Sequence, residues 1–212
     1  MTVQPIDVAL PPEDPSPIGV LAICTGNICR SPAIERLLKQ LMPASAPGAE
    51  FRYEFSSAGT RAMLDQPIAD SMASLMQADG VPTDDFVARQ LQSVLIDRAA
   101  LIITATLDHR STVVRMRPDA ISRCFTLVEL AESLPLFNLA ETLNMPAGAR
   151  LPHFMEAVRF ARPRLRLSPE QSNIIDPFGH SSATYLKAYQ RIRQCVSALA
   201  PVLSQMLGPG SR

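Results

Sequence analysis

The chain has no tryptophan, only three histidines and four cysteines, and no surplus of charge, since 20 Lys and Arg offset 20 Asp and Glu. Each shortage excludes something. Without a net field there is no general means of holding nucleic acid or an anionic membrane surface, although a local basic pocket stays open. No apolar run nears the ~20 residues that span a bilayer. The opening MTVQPIDVALPPEDPSP also lacks the basic start and apolar stretch of a secretory signal. A cytoplasmic protein, with neither nucleic acid nor membrane as partner, is the expectation. His109, His153 and His180 stand far apart, and Cys24, Cys29, Cys124 and Cys195 match neither a disulfide framework nor the paired spacing of a zinc site. No metal and no cofactor is expected, so the cysteines read as thiols.

What is present is a core. The 212 residues are 47% hydrophobic, enough for one sizeable globular domain. Five prolines in the first 17 residues read as a flexible leader, 1–17. IGVLAIC at 18–24 has the unbroken apolar character of a central parallel strand covered on both faces. After a short loop, Ile34, Leu37, Leu38 and Leu41 recur at helical spacing over 33–42, with Ser31 as the expected N-cap and Pro32 at the first helical position. Strands are predicted again at 51–57, 100–106 and 123–127, and helices at 68–78, 107–116 and 181–207. Pro201 should kink or shorten the last of these. The alternation predicts an α/β domain of three layers, α/β/α, with a mostly parallel sheet over 18–207 and a tail at 208–212. Within it, 129–172 shows no clear strand, and its helix-like PLFNLAETL and HFMEAVRFA predict an inserted helical hairpin, about 130–172, before the last helix.

The chemistry concentrates in Cys24-Thr25-Gly26-Asn27-Ile28-Cys29-Arg30-Ser31. A cysteine ending a central strand, ahead of a helix N-terminus, stands where open α/β sheets bind ligands. Loop amides converging there, with the helix dipole, favour an anion and favour thiolate over thiol. Gly26 and Asn27 tolerate the left-handed backbone that turns successive amides inward. Arg30 offers a planar fork for two phosphate oxygens, and Ser31 can bond the sulfur.

CTGNICRSP resembles the signature loop of the low-molecular-weight protein tyrosine phosphatases. The likeness recurs in SSAGT at 56–60, VARQL at 87–91 and IDPFG at 175–179, so it runs from about 18 to 207 with 129–172 as a departure. It implies a twisted four-stranded parallel sheet with helices on both sides, and a cysteinyl-phosphate route with Cys24 as nucleophile. Asp176, in the Asp-Pro motif, is the implied general acid, with Pro177 stiffening its loop and Phe178 beside it. Ser57 is implied to brace Asn27. Where relatives often carry a histidine before this motif's V/R-A-R, the chain has Phe86, so that residue's bond to the asparagine is missing or replaced. Arg89 reads as a structural ion-pair partner. Cys29 is the implied partner in a protective disulfide with Cys24, while Cys124 and Cys195 read as core.

The resemblance implies a phosphotyrosine protein as substrate and phosphate or another oxyanion as loop ligand. Arsenate reductases of this fold use two further cysteines several residues apart, and here Cys124 and Cys195 are far apart. Protein-arginine phosphatases carry threonine before the second cysteine, where this chain has Ile28, an apolar wall with no partner for a guanidinium. A non-catalytic phosphoprotein binder is the remaining alternative, opposed by the intact Cys24, Arg30 and Asp176. Arg61, Ala62 and Met63 stand where an aromatic slot wall is usual, and Gly179 and His180 follow Phe178. Phe137, Phe154 and Phe160 of the insertion could supply a wall, or the insertion could dock a partner or extend the core.

Overall fold

A computed structural model describes residues 16–42 and 51–207. Four strands, β1 (Ser16–Cys24), β2 (Phe51–Gly59), β3 (Ala99–Thr104) and β4 (Cys124–Thr126), pair in parallel in the order β2-β1-β3-β4. The helices are α1 (Arg30–Leu41), α2 (Asp70–Ala78), α3 (Ser93–Arg98), α4 (Leu107–Met116), α5 (Leu127–Ser133), α6 (Leu139–Leu143), α7 (Ala147–Leu165) and α8 (Ser182–Met206). The period-two alternation of β1 divides its side chains between two cores. Val20, Ala22 and Cys24 join the larger one, under α1, α2, α5, α7 and α8, while Leu21 and Ile23 join the smaller one with Ile96 of α3 and Val113 of α4. This is the expected three-layer α/β/α arrangement on a four-stranded parallel sheet. Because the chain leaves β1 for β2 on one side and returns as β3 on the other, the end of β1 is the topological switch point. Cys24 is its last residue.

Several local expectations need correction. Ser16 and Pro17 belong to β1, paired with Phe51 and Arg52, so the strand begins two residues inside the proposed leader. The rest of that leader, 1–15, and the tail 208–212 lie outside the described residues. Ser31 is not an N-cap. Helix α1 starts at Arg30 with Cys29 in the cap position and no side-chain cap, because the Ser31 hydroxyl turns to Cys24 instead. Helix α3 escaped the sequence reading because it has six residues and a single buried one, Ile96, too few to show a period. Pro201 sits inside α8, which continues to Met206.

The 130–172 region is larger than a hairpin. Its first residues complete α5, and α6 and α7 follow, with α7 running through both Pro152 and Pro163. It extends the core. Phe154 is fully buried, with Phe137 edge-on to it at 5.0 Å between ring centroids, and Phe160 is 73% exposed. Phe137 and Phe154 are therefore spent on packing. Arg150 fastens the region to the end of the domain. Buried to 1% exposure, it donates to the carbonyls of Met145 (3.0 Å), Leu143 (3.0 Å) and Met206 (3.3 Å), the last at the end of α8, where a cation also meets the negative end of the dipole. Glu129 fastens the other side. It closes a capping box with Thr126 on α5 and takes Arg110 of α4 (3.2 Å) and Arg162 of α7 (2.9 Å).

Removing a buried acceptor that serves two cations and a helix cap leaves both cations unpaired. Glu129→Ala should therefore cost about 3 kcal/mol in urea unfolding. Asp97→Ala, which frees only the exposed Arg117, should leave the unfolding midpoint nearly unchanged.

Candidate active site

The loop between β1 and α1 is laced outward by its carbonyls. Cys24 O accepts from Thr60 N (2.9 Å), Thr25 O from Arg61 N (3.0 Å), Gly26 O from Met63 N (2.9 Å) and Ile28 O from Ala69 N (2.8 Å). In a planar trans peptide the C=O and the next N–H point in opposite directions. Four outward carbonyls therefore aim the amides of Thr25, Gly26, Asn27 and Cys29 the other way, into the loop, and none of these amides has an acceptor among the described residues. The lacing needs glycine at 59. A Cβ there would stand 2.5 Å from Thr25 O and 3.0 Å from the Cα of Ala62. It also needs a left-handed residue in mid-loop, which is Asn27 at φ +56°.

Side chains then fix the cysteine. Asn27 is fully buried and its amide nitrogen donates to Ser31 Oγ (3.0 Å) and Ser57 Oγ (2.9 Å), while its oxygen accepts Arg89 N (2.9 Å). Since a backbone N–H can only donate, this last bond sets which end of the amide is oxygen. Ser31 Oγ lies 3.0 Å from Cys24 Sγ, and having accepted from Asn27 it has its own proton to give to the sulfur. Ser57 likewise passes its proton to Glu35 Oε2 (2.6 Å), a buried carboxylate also held by Lys39. Ser57 thus stands where the resemblance implied, bonded to Asn27. The bond lost with Phe86 is replaced by the Arg89 backbone. Arg89 makes no ion pair among the described residues, and its Nε donates to Ser57 O (2.7 Å). Glu35 was not singled out from sequence, where it looks like one more helical acid.

Arg30, 3% exposed, spreads its fork beside the loop. One nitrogen donates to Ile174 O (3.3 Å) and another meets Asp176 Oδ2 at 2.6 Å, while Nε is buried without a partner among the described residues. A buried, unpaired donor on a cation is costly and suits an anion held at that point. Asp176 is half-exposed at the mouth, with its other oxygen accepting Phe178 N (3.2 Å). The loop thus brings Cys24, Arg30 and Asp176 together across about 150 residues of sequence. Cys29 is buried with its thiol toward Tyr185 Oη (3.9 Å), and burial pushes its pKa up to about 12. Burial does the same to Cys124 (about 12) and Cys195 (about 11). On the rim, Met63 and Phe178 are exposed, whereas Ile28 is nearly buried and offers a ligand only its edge.

One histidine dismissed from the sequence reaches this site. His109 of α4 is buried, with Nε2 2.9 Å from Thr25 Oγ1 and Nδ1 2.8 Å from Thr106 Oγ1. Burial first, and then the charge of Arg30, lower its pKa to about 4.

Residues 19–136 match the family model described as low molecular weight phosphotyrosine protein phosphatase. Among named relatives, a Klebsiella pneumoniae protein bearing a low molecular weight protein-tyrosine-phosphatase name is 34% identical over 101 residues, covering 48% of this chain and 65% of its own length. The low molecular weight protein-tyrosine-phosphatase Wzb of Salmonella typhi is 30% identical over 104 residues, 49% of this chain and 64% of the relative. The chain thus spans just under two thirds of these relatives. In fold it is similar to the arginine phosphatase YwlE of Geobacillus stearothermophilus (TM-score 0.61, 21% identity, 88% of this chain and 92% of that one). It is equally similar to the tyrosine phosphatase Wzb of Escherichia coli K30 in complex with sulphate (TM-score 0.61, 22% identity, 87% and 97%).

His109 gives the fold a pH signature. Its folded pKa lies below the ordinary value of 6.5, so the unfolded chain binds the proton first on acidification. The His109 contribution to stability is complete above about pH 6.5 and declines as the pH falls toward 4. Urea unfolding across that window should show a shallower decline in His109→Asn than in the parent. Asn27→Ala, which deletes three bonds and a left-handed residue, should cost about 2 kcal/mol in the same measurement at pH 7.

Proposed function

The chain belongs to the low molecular weight phosphotyrosine protein phosphatase family, and from that premise we propose that it hydrolyses phosphotyrosine on proteins, with Cys24 as nucleophile, Arg30 as phosphate ligand and Asp176 as general acid. The observations that carry the reading are the four outward-bonded carbonyls, which turn the amides of Thr25, Gly26, Asn27 and Cys29 inward, and the buried Arg30 Nε, without a partner among the described residues. That ring offers donors to the equatorial oxygens of a phosphoryl group, where charge accumulates during transfer.

In the first step Cys24 thiolate attacks phosphorus in line. The S–P bond forms, the P–O bond to the tyrosyl oxygen breaks, and Asp176 gives that oxygen its proton. In the second step water attacks phosphorus and delivers a proton to Asp176. The S–P bond breaks and Cys24 leaves as thiolate, eased by the Ser31 hydroxyl, while inorganic phosphate departs. Asp176 holds Arg30 before an anion arrives. An incoming phosphate therefore takes over that donor, and Asp176, freed from the guanidinium, takes from solvent the proton that it gives to the leaving oxygen.

Phosphotyrosine is favoured over phosphoarginine by the apolar Ile28, which gives a guanidinium no partner, and by the exposed Met63 and Phe178 on the rim, which can flank a phenyl ring. The catalytic unit takes in β1 from Ser16 and runs to 207, with 130–172 as an extension of its core. No helix of the described residues is long and apolar enough to cross a membrane, and a cytoplasmic phosphoprotein is the proposed partner.

Hydrolysis of p-nitrophenyl phosphate by the parent and its abolition in Cys24→Ser test the reading. No turnover by the parent, or turnover surviving in Cys24→Ser, would sink it. Asp176→Asn should slow cleavage roughly a hundredfold or more, the scale of a lost general acid. Because it also frees Arg30, it should bind inorganic phosphate at least as tightly as the parent. A phosphotyrosine peptide should be a better substrate than a phosphoarginine peptide of the same sequence.

A further inference from the structure

His109 has no part in the two steps above, yet it ends on the residue beside the nucleophile. Thr106 is the N-cap of α4, and its Oγ1 accepts the His109 backbone N–H at 3.3 Å. The Thr106 hydroxyl proton is then free for His109 Nδ1 at 2.8 Å. With the Thr106 proton on Nδ1, the ring proton is on Nε2, which donates to Thr25 Oγ1 at 2.9 Å; in the other tautomer the Thr25 hydroxyl donates to Nε2, and the tether is the same. The neutral ring satisfies both of its nitrogens. A second proton would set a donor against the Thr106 hydroxyl and a positive charge near Arg30. The charged groups acting on the ring are Arg30 from α1, Asp176 from the segment before α8 and Asp108 from α4 itself, and burial with Arg30 outweighs the two carboxylates.

The topology gives this contact its meaning. Cys24 ends β1, which has β2 on one side and β3 on the other. The residues after β2, Thr60 to Met63, hold the loop by backbone bonds to its carbonyls. From the β3 side, the loop's side-chain tether is His109, on the helix that follows β3. The Thr25 carbonyl bond to Arg61 fixes one end of a peptide unit but lets the unit rock about it. A second tether through the Thr25 side chain stops that rocking.

We propose that His109 is a positioning residue for the nucleophile loop, holding Thr25 so that the amides on either side of it stay aimed at the anion and the thiolate. The proposal rests on reading 24–30 as the phosphate loop. Thr106 and His109 form a T-x-x-H unit that serves helix and active site together, since the threonine that caps α4 also holds the ring that reaches Thr25.

The test compares Thr25→Val, Thr25→Ser, His109→Phe and the double variant Thr25→Val/His109→Phe. Thr25→Val and His109→Phe should each lower kcat for p-nitrophenyl phosphate roughly tenfold, the scale of one hydrogen bond serving a charged site, with KM little changed. Thr25→Ser, which keeps the hydroxyl, should retain most of the activity, and the double variant should be no worse than either single one. The pH midpoint for alkylation of Cys24 by iodoacetate should rise equally in Thr25→Val and His109→Phe. All four thiols are buried, so alkylation is followed on the peptide that bears Cys24 by mass spectrometry. A parental kcat and alkylation profile in Thr25→Val, or additive losses in the double variant, would overturn the proposal. Alkylation needs no turnover. A parent that alkylates with the expected contrast between variants yet hydrolyses nothing would uphold the positioning role and defeat the phosphatase reading instead.

Discussion

Peptide planarity organises everything around Cys24. A carbonyl cannot be bonded outward without turning its amide inward, and the loop has four carbonyls bonded outward, three to 60–63 and one to Ala69. The inward turn of the loop amides follows from where the neighbouring segment's N–H groups stand. That places two unusual demands on the sequence. Gly59 must lack a side chain so that β2 can end against Thr25, and Asn27 must accept a left-handed backbone while its own amide is held from three sides. Neither demand concerns phosphate directly.

Charge is distributed with the same economy. Two carboxylates lie near the loop with different surroundings. Glu35 is buried behind it and committed to Ser57 and Lys39, so it steadies Asn27 without facing a ligand. Asp176 is half-exposed in front and paired with Arg30. One is buried and braces Asn27 through Ser57, and the other is at the surface beside Arg30. The insertion keeps clear of both. It adds α6 and α7 to the larger core, anchored through Arg150 and Glu129, while the loop's hydrogen-bond partners given above all lie outside 130–172.

How much of this was legible depended on sequence distance. The strand, loop and helix around 18–42 could be read directly, because an apolar run, a Gly-Asn turn and a 3.6-residue period lie within 25 positions. The α4 range was readable for the same reason. Ser31 was misplaced as a cap because the pattern Ser-Pro before an apolar period describes an ordinary helix start equally well. Only the fold shows that the hydroxyl has a better partner in the sulfur. Ser57 and Asp176 were reachable through resemblance, not through local chemistry. His109 could not be found, because it lies 84 residues from Thr25 and an isolated histidine in a helix carries no sign of its partner. The aromatic residues of 130–172 misled in the other direction. Their spacing cannot distinguish a wall of a substrate slot from a core contact, and Phe154 proved to be the latter.

The central claim is that the ring of amides exists to hold a phosphoryl group while it sits on Cys24 sulfur. Rapid acid quenching during turnover of a phosphotyrosine peptide, followed by peptide mass spectrometry, observes that species itself. The account predicts phosphate on the peptide bearing Cys24, accumulating when Asp176 is replaced by Ala and an activated aryl phosphate is supplied. Sustained phosphate release with Cys24 never phosphorylated, or phosphate found on another side chain, would contradict it.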